Sequence, residues 1–96
     1  MFDYKIINAE IVDGTGAAAY RADLAVTGEK ISAIGDLSDT EAKVTIDAQG
    51  KTLAPGFIDL HTHSDLSVLY DHRMANRIYH GVTTDVCGNC GVGAAP

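Results

Sequence analysis

Tryptophan is absent from this sequence, and proline and cysteine occur only twice each. With so little proline and an apolar fraction of 46%, the chain reads as folded and globular, not disordered. Positive charge is also scarce. Seven basic residues stand against 13 acidic ones, the acidic residues are scattered, and the net charge is −6. That balance excludes the basic stripe a nucleic-acid partner needs. It does not bear on a small substrate, because a local cleft need not follow net charge. No apolar run approaches the length that spans a bilayer, so no membrane partner is expected. Met1-Phe2-Asp3-Tyr4-Lys5 lacks the basic start and apolar run of a secretory signal. The expected compartment is therefore the cytoplasm, where two cysteines serve as thiols or ligands in preference to a disulfide.

The first half is punctuated into short strands. Tyr4–Asn8 and Glu10–Asp13 are β-rich, with Gly14-Thr15-Gly16 breaking the chain after them. Gly14-Thr15-Gly16 lacks the trailing glycine, helix and lysine of a phosphate loop and reads as a turn. Asp23–Thr27 and Lys30–Ile34 flank Gly28-Glu29 as a hairpin, Lys43–Asp47 alternates with Val44 and Ile46 on one face, and Lys51–Leu53 follows Gly50. Such elements predict a small antiparallel sheet or half of a sandwich. At Pro55-Gly56 the character changes. Phe57-Ile58-Asp59-Leu60 reads as a strand buried on both faces, Asp71 as the cap of a helix over His72–His80, and Val82–Val86 as a second buried strand. Strand, helix and strand make a βαβ unit, so a parallel α/β domain begins here.

His61-Thr62-His63 carries the sharpest chemistry. Side chains on a strand alternate, so both imidazoles project to one side and Thr62 to the other. At the carboxyl end of a parallel strand that side opens onto the crevice where α/β folds place ligands, and two neutral imidazoles there can share a divalent ion. Asp59, one step deeper on the same face, is positioned to accept a ring N–H or otherwise fix the histidines. By itself an HxH pair is a weak motif, and its incidental, solvated reading yields only to its place after a buried strand.

Cys87-Gly88-Asn89-Cys90 admits several chemistries. As a redox dithiol it would want a following helix, and the residues after it are glycine-rich. As a structural zinc half-site it would want a second cysteine pair, which the sequence lacks. The remaining readings are two inert thiols, or one thiolate ligand facing the histidines. Cys90, in the loop proper, is the candidate ligand, whereas Cys87 ends the strand as a small apolar residue. His72 and His80 read as structural, and Ser64 and Asp65 as residues that meet substrate or solvent.

With these pieces placed, the chain resembles the amidohydrolase superfamily and, within it, the N-acyl-D-amino-acid deacylases (D-aminoacylases). Tyr4-Lys5-Ile6-Ile7-Asn8-Ala9 and Ile31-Ser32-Ala33-Ile34-Gly35 are similar to the superfamily's small β-sandwich. Ala54-Pro55-Gly56-Phe57-Ile58-Asp59-Leu60-His61-Thr62-His63-Ser64-Asp65 resembles its entry into the first barrel strand. Gly81–Val86, Gly88-Asn89-Cys90-Gly91 and Ala95-Pro96 narrow the likeness to the deacylase branch.

The resemblance implies an α/β fold: residues 1–54 as part of a β-sandwich, and residues 55–96 as the first strand, helix and second strand of a TIM barrel. It also implies His61, His63 and Cys90 as metal ligands, with the thiolate able to bridge two metal positions. Asp59 would stand behind them. The cofactor would be zinc, one or two ions, and the substrate a small N-acyl-D-amino acid cleaved to a carboxylate and a D-amino acid. Zinc activates water and polarises an amide carbonyl, and a carboxylate moves the proton to the leaving amine. Further histidine ligands and the catalytic aspartate belong to later strands in that family, so no catalytic residue is expected among these residues.

Three alternatives stay open: another amidohydrolase branch (cyclic-amide hydrolase or deaminase), a non-catalytic β-rich module, and a thiol redox protein. A TIM barrel needs about 250 residues and eight strands, so the remainder of the barrel is expected to be required and the 96-residue chain alone to be inactive. Assaying that chain with zinc and an N-acetyl-D-amino acid checks this, and clear metal-dependent turnover would contradict it.

Overall fold

The computed structural model describes residues 1–94; Ala95-Pro96, part of the deacylase-like pattern, lies outside the described residues. The chain divides into two compact units, Met1–Pro55 and Gly56–Pro96.

The first unit is a sheet built around β1 (Phe2–Ile11). β2 (Tyr20–Thr27) and β3 (Lys30–Gly35) form a hairpin turning at Gly28-Glu29, and β2 lies antiparallel to β1. β4 (Ala42–Asp47) and β5 (Thr52–Leu53) then follow one another along the opposite edge of β1, both parallel to it. The order is β3-β2-β1-β4, with β5 also on β1. The sheet is therefore mixed, where the strand punctuation predicts a small antiparallel sheet or half of a sandwich. The reason is the return of the chain from the outer strand β3 to the far side of β1. Lys5 holds that return. It is a buried lysine on β1 whose Nζ donates to Leu37 O at 3.2 Å and Thr40 O at 2.7 Å.

β1 also runs through the point where the sequence suggests a break. Asn8 takes a left-handed backbone (φ 57), a conformation asparagine tolerates, and the register with β2 shifts between Ile6 and Ala9. The bulge is satisfied locally. Asn8 N–H donates to Asp23, its amide donates to Asp47, and its carbonyl accepts from Gly50 N in the turn between β4 and β5. The core beneath is thin: Ala9, Ile11 and Leu24, with Ile6, Ala22, Val26, Ala48 and Leu53 packed against it. Ile31, Ile34, Val44 and Ile46 stay exposed. An apolar groove of about 280 Å³ runs between Ile11, Leu24, Ile31, Ile34, Leu53 and Pro55.

The second unit pairs β6 (Phe57–Thr62) in parallel with β7 (Val82–Cys87). α1 (Ser64–Ser67) and α2 (Ala75–Ile78) lie between them in sequence. The βαβ connection is present, with two corrections. The helix does not span His72–His80. Met74 has φ 48, which stops helix propagation, and Asp71 caps the later start by accepting Arg73 N and Ala75 N at 3.1 and 3.2 Å. Nor is either strand buried on both faces: Val82–Val86, expected as a second buried strand, has no buried residue, and β6 is largely uncovered. Phe57, Ile58 and Leu60 are 62–65% exposed, because a lone partner strand and two single-turn helices do not cover them. Among the described residues no helix is long and apolar enough to cross a membrane.

Replacing Lys5 by Met keeps the aliphatic stem but leaves the Leu37 and Thr40 carbonyls without their donor. The expected loss is about 1–3 kcal/mol, the usual cost of leaving buried polar groups unpaired, read as a lower urea midpoint at unchanged slope.

Candidate metal centre

Three side chains with metal-binding chemistry meet at the carboxyl ends of β6 and β7. His61 lies on β6, His63 is the residue from which α1 starts, and Cys90 sits in the loop after β7. Their ligand atoms all fall within 4.8 Å of one another, and all three residues are exposed. His61 Nε2 is 2.5 Å from Cys90 Sγ. The two rings stand 6.3 Å apart at centroid and are tilted by 59°. Strand alternation explains the pairing, since Thr62, between the histidines, is buried on the opposite side against Val86 O and Cys87 Sγ. Cys87 is thus engaged away from the cluster. His72 and His80 are not part of it.

The turn that delivers Cys90 is tight. Gly88 (φ 86) and Gly91 (φ 73) both occupy the left-handed region that favours glycine, and Gly91 N–H closes on Gly88 O at 2.9 Å. Asn89, inside the turn, donates its amide to Leu60 O on β6.

Behind the cluster lies a network that sequence reading missed. Asp59 and Asp85 face each other across the β6–β7 ladder, and Arg77 of α2 binds both carboxylates. Its Nη2 is 2.8 Å from Asp85 Oδ1 and its Nε 3.3 Å from Asp85 Oδ2. Ser64 donates to Asp85 as well. The Arg77 hydrogen bond is the main reason the Asp59 carboxyl is held below its ordinary range, with His61 N–H second. Asp85 is lowered by Arg77 first and Ser64 second, and Arg77 itself is pushed upward. Among the described residues Asp59 makes no hydrogen bond to a histidine ring. It accepts the His61 backbone N–H at 3.1 Å, so it acts on the histidine through the main chain. Asp65 is turned to the loop, where its Oδ2 accepts Ala94 N–H at 2.6 Å and its carboxyl is lowered mainly by that bond. Residue order alone does not give this network, because the pairing of Asp59 with Asp85 depends on the register between the two strands; acidic residues so paired repel, and a cation bound to both relieves the repulsion.

Two imidazoles and a thiolate form a donor set suited to zinc. Donors bound to one zinc at about 2.0–2.3 Å stand roughly 3–4 Å from each other; the three ligand atoms lie within 4.8 Å of one another, with His61 Nε2 and Cys90 Sγ closer than that spacing at 2.5 Å. The residues fit the ion.

The model of the amidohydrolase family called Amidohydro_3 matches residues 44–96. A D-aminoacylase of Alcaligenes xylosoxydans xylosoxydans is 47% identical over 95 residues, 99% of this chain and 20% of that protein. The crystal structure of N-acyl-D-glutamate deacylase from Bordetella bronchiseptica, complexed with zinc and a phosphonate inhibitor, superposes with a TM-score of 0.94 at 48% identity, covering 99% of this chain and 20% of that one. A D-aminoacylase structure described for its binuclear metal centre gives a TM-score of 0.94 at 47% identity, over 100% of this chain and 20% of that one. The chain thus spans about a fifth of the length of the relatives it matches.

Arg77→Met removes the cation between Asp59 and Asp85. Depressed carboxyl pKa values add stability above the unfolded value, about 3.9, and that stability disappears as pH falls through the folded values. The thermal midpoint of Arg77→Met is therefore expected below wild type at pH 7, with the gap closing below about pH 4. Midpoints measured from pH 7 to pH 3 check this, and a gap independent of pH would contradict it.

Proposed function

Because the chain belongs to the amidohydrolase family, we propose that the whole protein is a zinc-dependent hydrolase that splits N-acyl-D-amino acids into a carboxylate and a free D-amino acid. The observation that carries this reading is the convergence of His61, His63 and Cys90 ligand atoms within 4.8 Å at one end of two parallel strands. Whole-chain similarity to D-aminoacylase and to acyl-D-amino-acid deacylases supports the substrate class.

His61 and His63 would bind through neutral imidazole nitrogens and Cys90 through its thiolate, with one or two ions held. Zinc, when bound, supplies Lewis acidity that activates water and polarises the amide carbonyl. This chain's part is to hold that charge in place. The thiolate tempers the Lewis acidity by donating charge. Asp59, accepting the His61 N–H, and Arg77, bound to Asp59, orient the first histidine. The proton shuttle to the leaving amine would come from a carboxylate on another part of the protein.

In the same reading residues 1–54 contribute to a β-sandwich, and residues 55–96 open a TIM barrel. Later strands would then cover Phe57, Ile58 and Leu60 and the apolar groove of the first unit. A free thiolate ligand suits a reducing compartment, so we place the enzyme in the cytoplasm.

The test uses the whole protein with zinc and N-acetyl-D-amino acids. The expected result is release of the D-amino acid, abolished by a chelator and restored by zinc. His61→Ala and Cys90→Ala should each lose more than the roughly 10–100-fold that removal of an outer partner costs, while Cys87→Ala stays near wild type. Metal-independent turnover, or Cys90→Ala equal to wild type, would remove the reading.

A further inference from the structure

The register of the β6–β7 ladder shifts twice, between Phe57 and Ile58 and again between Asp59 and Thr62, where the candidate ligands begin. Asp59 pairs with Asp85 and Thr62 with Cys87, and the register shifts between them. The peptide unit joining Leu60 to His61 lies in that gap, and side chains hold both of its polar groups. Its N–H, on His61, donates to Asp59 Oδ1 at 3.1 Å. Its carbonyl, on Leu60, accepts from Asn89 Nδ2. Asp59 is anchored in turn by Arg77, itself bound to Asp85 on β7.

Asn89 precedes Cys90 inside a turn bounded by Gly88 and Gly91, both at positive φ. Glycine at both ends leaves such a turn with large conformational freedom in the absence of a tether. Gly91 N–H on Gly88 O closes the turn on itself, and the Asn89 amide tethers it to β6. It joins the residue before the thiol to the carbonyl before the first histidine, and Cys90 Sγ lies 2.5 Å from His61 Nε2.

From this geometry we propose that Asn89 is a positioning residue, whose hydrogen bond to Leu60 O sets the Cys90 sulfur against the His61 imidazole. The proposal rests on the reading of His61, His63 and Cys90 as zinc ligands. It assigns Asn89 a purpose different from that of a general loop staple. A staple would alter stability, whereas a positioning residue alters how the sulfur meets the metal.

The experiment substitutes Co²⁺ for zinc in the whole protein and follows the sulfur-to-cobalt charge-transfer band in the near ultraviolet, together with Co²⁺ affinity. Wild type is expected to show the band and Cys90→Ser to lose it. Asn89→Leu keeps the side-chain volume and removes the donor. It is expected to weaken and shift the band and to lower Co²⁺ affinity about 10–100-fold, as removal of an outer partner does, with the thermal midpoint of the metal-free protein close to wild type. Asn89→Gln, which keeps the amide donor, should recover part of the affinity. A wild-type band and affinity in Asn89→Leu would overturn the proposal while leaving Cys90 as a ligand. Absence of the band from wild type would overturn the ligand reading and the proposal with it.

Discussion

Asp59 and Asp85 are paired across neighbouring parallel strands, and the guanidinium of Arg77 converts their repulsion into a clamp. Like charges directly opposite one another destabilise a sheet, and a cation able to bind both reverses the sign. Because Arg77 belongs to α2, the same contact ties the connecting segment to both strands. His61 follows Asp59 by two residues and Cys90 follows Asp85 by five, so the clamp sets the strand ends from which the candidate ligands project. The main chain then transmits the order outward. Arg77 holds Asp59, Asp59 holds the His61 N–H, and Asn89 holds the carbonyl of the same peptide unit.

Long-range polar contacts also bind the first unit together, where a thin core would otherwise leave the strand crossings loose. Each reaches out from β1. Asp3 accepts Gly28 N–H at the hairpin and pairs with Lys43 of β4, and Lys43 is the first cause of its lowered carboxyl pKa. Asn8 reaches Asp23 and Asp47, and Lys5 reaches the return loop. The Asp3–Lys43 pair is solvated, and such pairs contribute little to stability. Lys5 differs, being buried with its ammonium on two carbonyls, so its loss exposes a cost that water does not refund.

Large apolar residues lie exposed in both units. Parallel strands are stable when both faces are packed, yet Phe57, Ile58 and Leu60 are largely exposed in this chain, and so are Ile31, Ile34, Val44 and Ile46 in the first unit. A two-stranded parallel sheet also leaves unpaired hydrogen-bonding groups along its outer edges. The donor cluster is different, because it is assembled wholly from residues of this segment.

Much of the site could be read from residue order because the relevant rules are local. Alternation along a strand sends His61 and His63 to one side and Thr62 to the other, and the end of β7 separates Cys87 in the strand from Cys90 in the loop. The order of strand, helix and strand after Pro55-Gly56 implied a parallel pair. Other features were invisible because they depend on what meets through space. Met74 adopts a left-handed backbone and shortens the helix, and Asn8 turns an expected break into a bulge inside one strand. The parallel placement of β4, the two hydrogen bonds from Lys5, the Arg77 clamp and the Asn89 tether each join groups 8 to 40 residues apart. By itself, then, the sequence determined which side chains leave each strand and on which side, since backbone periodicity is a property of neighbours. Only the tertiary structure decided which partners they meet, since that depends on the register between strands and on the path of the chain connecting them.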